Sequence, residues 1–417
     1  MREVRVWKRL LGVEHAVIEG VELEGEGTAE VLVASVRPTR SRRWRCSRCD
    51  RRCRGYDQGD GRRRWRTLDL GAVQAYLEAD APRVSCPEHG VVVAAVPWAR
   101  AGARHTAAFE DTCAWLAAHT AGSVVAQVQR VSWRTVTAMV SRVVAELSGQ
   151  TDRLQGLRRI GIDEIAHRRG HRYLTIVVDH DTGRLVWAAP GRDSATLLGF
   201  FDALGPERSA LLTHVSADGA EWIHGPVRAR APQAVLCLDA FHVVAWATKA
   251  LDATRRQVWN DLRAAGRPEQ AASLKGSRWA LVKNPGDLTG EQKTTLAAIA
   301  VTNKGLYRAY LLKEQLREVF RVKGQHGRVL LAGWLAWARR SRLPAFIKLA
   351  KTIQRYRELI WNTLQHALSN ARVEATNTHL RALTRRAYGF HSPEALIAMA
   401  HLTRGGLCPN LPGRTAA

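Results

Sequence analysis

Residues 1 to about 40 alternate apolar and polar positions, as VEHAVIEGVELEG and then AEVLVASVRP. A period of two with a Gly-rich turn between the runs predicts paired strands. An arginine-dense stretch follows, RPTRSRRWRCSRCDRRCRGY, and then a second hairpin-like pair, RRRWRTLDLGAVQAYLEADAPRVSC, ending at CPEHG. From Thr106 the apolar spacing changes to three and four in FEDTCAWLAAHTAGSVVAQVQRVSWRTVTAMVSRVVAELSG, two helices around a short polar break, the pattern of a helix-turn-helix. Next, LRRIGIDEIAH, RYLTIVVDHDTG and RLVWAAPGRD read as three strands, the last two joined by a turn at His180–Gly183. The helix SATLLGFFDALG, the strand SALLTHVSADG, the helix AEWIHGPVRARA and the strand AVLCLDAFHVV come after them. Three strands, helix, strand, helix, strand is the order of an RNase H-like core. Residues from about 250 to 372 are helical, Arg-rich and Trp-bearing, and two further helical patterns close the chain, broken around Gly389–Pro393.

The fold class expected is therefore an α/β RNase H-like catalytic core with a helical insertion, preceded by a β-rich zinc-ribbon-like module and an α-helical helix-turn-helix. The boundaries fall at 1–103 for the β-rich module, 104–150 for the helix-turn-helix, 158–248 for the first part of the core, 249–370 for the insertion and 371–417 for helices completing the core.

Charge narrows the function. Lys and Arg number 63 against 38 acids, a formal charge of +25, spread along the whole chain. Such a balance points to a polyanionic partner, nucleic acid above all, although Arg-rich codon usage alone also raises the charge. No apolar run approaches the roughly 18–20 residues that span a bilayer, and the N-terminus lacks a signal-peptide layout, so a cytoplasmic protein with no membrane partner is expected. Seven cysteines, clustered unevenly, do not make a disulfide framework in such a chain.

Cys46 and Cys49 form C-x2-C, and Cys86 with His89 forms C-x2-H about forty residues later. Two knuckles joined through strands give the tetrahedral ligand set of a structural zinc ribbon, with Cys53 as a spare ligand. Zn2+ here would be a folding device for a module with little core of its own. In GSVVAQVQRVSWRTVTAMVSRVV, Ser123 is the expected cap of the first helix and Ser132 of the second, with Val131 packed inward. Trp133, Arg134 and Thr137 then face DNA from the recognition helix and Arg130 meets the backbone. The plain alternative is an ordinary helical hairpin.

In the RNase H-like order the ends of the first and fourth strands are neighbours, bringing Asp163 and Asp218 toward one point. Two carboxylates in a strongly basic chain suit a pair of divalent cations, Mg2+ or Mn2+, that carry phosphodiester chemistry. Glu374 is the expected third acid, at the head of a helix with Asn377 and Arg381 on the same face. Glu164, Asp179 and Asp181 read as solvated or turn acids, and Asp239 with His242, spaced D-x2-H on a later strand, as a pair that orients the site. The basic turn His167–His171 beside the acids belongs to the DNA side. The insertion's tryptophans, in RRQVWNDLRAAG, GSRWALVKN and LLAGWLAWARRSRL, either line DNA ends or fill the insertion's own core.

These residues resemble the ISL-three group of bacterial insertion-sequence transposases. The resemblance rests on the two cysteine knuckles, the helix-turn-helix, GIDE at 161–164, DAFHVV at 239–244, LKGSRWALVKNPGDLT at 274–289 and VEATNTHLRALTRRAYGFHSPEAL at 373–396. It implies a DDE-type transposase that cuts and joins DNA with divalent metal, recognises terminal inverted repeats and target DNA, and assembles as a dimer or higher on DNA near the nucleoid. Asp163 matches the family's first acid and Glu374 its last. The second is Asp218 by strand order or Asp239 by motif, so all four are candidate catalytic residues. Ala375 stands where the family often has Gly. Arg385 and Arg386 are candidate phosphate clamps near Glu374. The rival reading is a DNA-binding regulator, or a decayed transposase that binds ends without cutting.

Overall fold

The computed structural model describes residues 2–168 and 170–414, so Arg169 of the basic turn lies outside the described residues. The chain forms two compact units, Met1–Arg153 with Thr384–Ala417, and Leu154–Leu383.

The first unit begins with a helix, α1 (Arg2–Leu10), where the alternation was expected to run from the first residue. Strands β1 (Ala16–Glu24), β2 (Val31–Pro38), β3 (Arg54–Asp57), β4 (Arg62–Leu70), β5 (Val73–Asp80), β6 (Arg83–Cys86) and β7 (Gly90–Val93) follow. They build a four-stranded sheet in the order β1-β2-β5-β4 and a three-stranded sheet β3-β6-β7. Inward residues of the larger sheet, Ala34, Trp65, Ala75 and Leu77, form its core with Trp98. Helices α2 (Ala107–His119), α3 (Gly122–Val128) and α4 (Trp133–Gln150) make a second core around Phe109, Cys113 and Met139. Fully buried Glu110 is held there by Arg100 and Arg142, which offset its desolvation.

In the second unit, β8 (Arg159–Arg168), β9 (Arg172–Asp179) and β10 (Leu185–Pro190) form an antiparallel meander. After α5 (Ser194–Leu204) and the short α6 (Pro206–Ser209), β11 (His214–Ala217) lies parallel to β8; after α7 (Glu221–Arg230), β12 (Val235–Leu238) lies parallel to β11. The sheet order is β10-β9-β8-β11-β12, with the first strand central, as the run of elements predicts. Ile160, Ile162, Val177 and Val215 pack from it against Leu197, Phe200, Phe201, Ile223 and Val227 of α5 and α7.

The insertion comprises α8 (Ala240–Ala264), α9 (Pro268–Ser273), α10 (Arg278–Val282), α11 (Gly290–Thr302), α12 (Lys304–Val319), α13 (Gly324–Arg340), α14 (Pro344–Arg355) and α15 (Arg357–His366). Trp334, fully buried, donates its indole N–H to the Leu312 carbonyl, and Trp259, Trp337 and Trp361 pack partly buried on the same core. The core-filling alternative therefore holds for Trp259, Trp334 and Trp337 of the segments named above, whereas Trp279 stays exposed. α15 covers the edge strand β12, where Thr363 Oγ1 and Asn362 Nδ2 donate to the carbonyls of Leu238 and Leu236 at 2.6 and 2.9 Å. The two helices expected together at 371–417, α16 (Ala371–Arg386) and α17 (Pro393–Arg404), part company, because Ala398 and Leu402 of α17 belong to the core of α2 and α4.

Candidate active site and DNA-binding elements

β8 delivers Asp163 into the interior at 9% exposure. Its Oδ1 accepts the Glu164 N–H at 2.9 Å and its Oδ2 accepts from Asn377 Nδ2 at 2.8 Å. That second bond requires α16 to lie close over β8, and Gly161 permits it. A Cβ at Gly161 would sit 2.3 Å from Val373 Cγ2 and 2.8 Å from His180 Nε2, inside any tolerable contact. The glycine of GIDE is thus a packing requirement of the site. A buried chain of groups pins the start of α16 on the same side: His180 Nε2 meets Ser216 Oγ at 2.6 Å, Ser216 bonds Asn370, and Arg372 donates to the His180 carbonyl.

Asp218 follows the last residue of β11. Its Oδ1 accepts the Ala220 N–H at 3.0 Å, and among the described residues no hydrogen-bond donor reaches its Oδ2. Its turn is braced from the insertion, where Tyr356 donates its hydroxyl to the Gly219 carbonyl at 2.9 Å and Trp246 closes over Gly219. Asp239 lies beside it, its N–H bonded to the Ala217 carbonyl at 2.8 Å. Contrary to the strand expected for DAFHVV, β12 ends at Leu238, and Asp239 is the N-cap of α8. The D-x2-H spacing is then one helical turn, which places His242 Nδ1 2.7 Å from Asp239 Oδ2 while Oδ1 accepts the Phe241 N–H at 3.2 Å. Both oxygens of Asp239 are engaged, and the residue is 3% exposed.

Electrostatics couple these groups. Burial raises the Asp163 carboxyl to about 6, and the charges of Asp218 and Asp239 add to that against the opposing Glu164 N–H and His242. Burial likewise raises Glu374, in the first turn of α16, with Asp239 adding and His242 and Arg381 opposing. His242 is raised to about 9, first by its bond to Asp239 and then by the charges of Asp239, Asp163 and Asp218, against its burial. Glu164, expected to be solvated, is instead half-buried and pushed to about 7 by burial and the charges of Asp218 and Asp163. Arg192 pairs with it at 2.8 Å, and its Oε2 is buried without a partner. Asp179 and Asp181 behave as turn acids, Asp179 capping Asp181 and Thr182, and Asp181 pairing with Arg159. A set of carboxylates that raise one another's proton affinity, offering oxygen donors only, fits hard divalent cations.

The structure brings the cysteine knuckles together. Ligand atoms of Cys46, Cys49, Cys86 and His89 lie within 4.8 Å of one another. Cys49 and Cys86 sulfurs are 3.8 Å apart, and His89 Nδ1 is 3.7 and 3.6 Å from the sulfurs of Cys46 and Cys86. A tetrahedron with Zn–S near 2.3 Å and Zn–N near 2.0 Å has edges of roughly 3.5–3.8 Å, so the cluster has the dimensions of a structural zinc site. Cys53 is not a member of it and bonds the Arg51 carbonyl.

In the helix-turn-helix, Ser132 caps α4 by accepting the Thr135 N–H at 3.2 Å, and Val131 packs inward as expected. Ser123 does not cap α3; the N-cap is Ala121, so Ser123 is already inside the helix. Trp133, 52% exposed, and exposed Arg134 stack together at 5.5 Å at the head of α4. Thr137 bonds back to the Trp133 carbonyl. Arg130, the expected backbone contact, is instead tied to Asp69 and to the Ala72 carbonyl. Arg385 and Arg386 group with this unit, where Arg386 donates to the Ala117 carbonyl at 3.1 Å.

Family comparison agrees with this anatomy. Residues 160–400 match a DDE transposase model of the ISL3 family, residues 42–89 the zinc finger of the IS204/IS1001/IS1096/IS1165 transposases, and residues 94–144 the helix-turn-helix domain of transposase family ISL3. The chain belongs to the ISL3 family of insertion-sequence transposases, and it is a DNA-binding enzyme of DNA strand cleavage and transfer. It is 54% identical, over 99% of its length and 98% of the relative's, to the transposase for insertion sequence element IS1557 of Mycobacterium tuberculosis. It is 27% identical, over 94% and 96% of the two chains, to the transposase for insertion sequence element IS1001 of Bordetella parapertussis. No helix among the described residues is long and apolar enough to cross a membrane.

Proposed function

We propose that the second unit is an RNase H-like catalytic core in which Asp163, Asp218 and Glu374 hold two divalent cations, Mg2+ or Mn2+. When bound, such ions supply an activated water or 3′-hydroxyl and neutralise charge on the phosphate and the leaving oxygen. The observation that carries this reading is the pairing of two neighbouring parallel strands, β8 and β11: their register, with Ser216 opposite Gly161, sets Asp218, just past the end of β11, level with Asp163, which lies in the middle of β8 and not at the strand end expected. Asp218 is favoured over Asp239 as the second acid because the β8–β11 register sets it level with Asp163, whereas Asp239 begins the next helix, capping α8 and pairing with His242. Asp239 then fixes His242 as a protonated imidazole facing the acids, a counter-charge for the phosphate. Asn377 orients Asp163 through its amide.

The zinc ribbon and the helix-turn-helix would recognise the terminal inverted repeats through Trp133 and Arg134, with Thr137, Arg385 and Arg386 as further contacts and the bound Zn2+ holding the ribbon folded. The enzyme would work on DNA as a dimer or larger assembly in the bacterial cytoplasm. The test is cleavage of a labelled inverted-repeat duplex with Mg2+ by wild type and by Asp163→Ala, Asp218→Ala, Asp239→Ala and Glu374→Ala. Loss of cleavage in the Asp163, Asp218 and Glu374 variants with end binding retained is expected. Full activity of Asp218→Ala, with a folded but inactive Asp239→Ala, would transfer the second role to Asp239.

A further inference from the structure

Among the described residues of the second unit, two aromatic side chains are more than half exposed: Phe241 at 59% and Trp279 at 54%. Phe241 is the one beside the acids. It sits in the first turn of α8 between the cap Asp239 and His242, its N–H bonded to Asp239 Oδ1 and its ring edge-on to the His242 imidazole, with centroids 6.0 Å apart. Further along the helix, Val243 and Ala247 turn into the core, so the Phe241 ring contributes nothing to packing that its exposure would explain. Of the acids of the proposed site, Asp163 is recessed at 9% exposure, and Asp218 and Glu374 are half-buried. A phosphate in regular duplex lies on a smooth backbone path with its bases stacked inside. To reach a recessed carboxylate the strand must leave that path, and a base next to the scissile phosphate loses its stacking partner.

We propose that Phe241 is the stacking platform for this unpaired nucleobase beside the scissile phosphate, a positioning residue for cleavage. The inference rests on the active-site reading above. A ring face accepts any base, so the contact is sequence-tolerant and compatible with varied flanking DNA. The ring is held by the same helix turn that holds Asp239 and His242, so stacking the base also sets the register of the phosphate against the acids.

The test compares wild type, Phe241→Ala, Phe241→Trp and Asp163→Asn on duplexes carrying the element's terminal repeat. The base pairs on either side of the cut are matched in one substrate and mismatched in another. Base–aromatic stacking predicts that Phe241→Ala slows cleavage of the matched end roughly tenfold or more. Phe241→Trp should stay within a few-fold of wild type, and the mismatch, which removes the unpairing step, should recover most of the Phe241→Ala loss. Gel-shift affinity for the end should be unchanged, and permanganate reactivity of a thymine beside the cut should rise on binding of Asp163→Asn but not of Asp163→Asn/Phe241→Ala. Equal losses on matched and mismatched ends, or wild-type rates for Phe241→Ala, overturn the inference. If Asp163→Asn itself cleaves, the active-site reading fails instead.

Discussion

Replacing Asp163 with Asn separates the charge of this residue from its shape. Burial and neighbouring acids raise its carboxyl from the ordinary 3.8 to about 6 in the folded chain. The folded state therefore binds this proton more tightly than the unfolded state, and stability declines as pH rises from 3.8 through 6, with the penalty complete above that. A gap of about two pH units corresponds to about 3 kcal/mol. Asn has no charge to desolvate. Its amide oxygen keeps the Glu164 N–H bond, and its NH2, which takes the place of the oxygen that accepts from Asn377 Nδ2, donates to Asn377 Oδ1 once the Asn377 amide turns over. Metal-free Asp163→Asn should thus be more stable than wild type by roughly 3 kcal/mol at pH 7.5 and by about half that at pH 5, while cleavage is lost. Unfolding of both proteins in chelator at the two pH values, with cleavage measured in parallel, gives the comparison. A variant less stable than wild type at pH 7.5, or a gain that does not change with pH, would refute the claim that this carboxylate is a desolvated charge held for a cation.

The two candidates for the second acid should separate by stability as well as activity: Asp239→Ala loses a helix cap and the His242 pair, about 1–2 kcal/mol in thermal or denaturant unfolding, whereas Asp218→Ala changes stability little. Gly161→Ala should force α16 off β8 and cut cleavage roughly tenfold or more, with Val373→Ala in the same chain restoring part of it, because the added Cβ and the Val373 methyl claim one space. In a salt titration of end binding, Arg134→Ala should lower the slope of log affinity against log salt by about one, and Arg130→Ala, already paired with Asp69, should leave the slope unchanged. Metal analysis should find one zinc per chain, and Cys46→Ser should lose it and leave residues 42–89 open to proteolysis.

Local pattern alone determined the elements of this protein. Short apolar runs bounded by turn residues gave β8 to β12, three-and-four spacing gave the helix-turn-helix, and Cys-x2-Cys with Cys-x2-His identified a metal knuckle, because each depends on residues a turn or a strand apart. The strand order was legible through the order of elements, since three strands, a helix, a strand, a helix and a strand is the RNase H-like order, in which the fourth strand lies beside the first. Where the sequence misled, the deciding interaction came from elsewhere in the fold. DAFH reads as strand by its apolar run, but Asp239 is satisfied by starting a helix, and His242 completes the cap. Glu164 looks solvent-facing beside Asp163 until Arg192, from the loop after β10, covers it. Arg130 looks free for phosphate until the turn at Asp69 occupies it. The role of Gly161 is invisible locally, because Val373 arrives from more than two hundred residues away. Spacing can name which acids are present; which of them keeps a free oxygen, which spends both on its own helix, and which ring is left exposed beside them are set by long-range packing and desolvation.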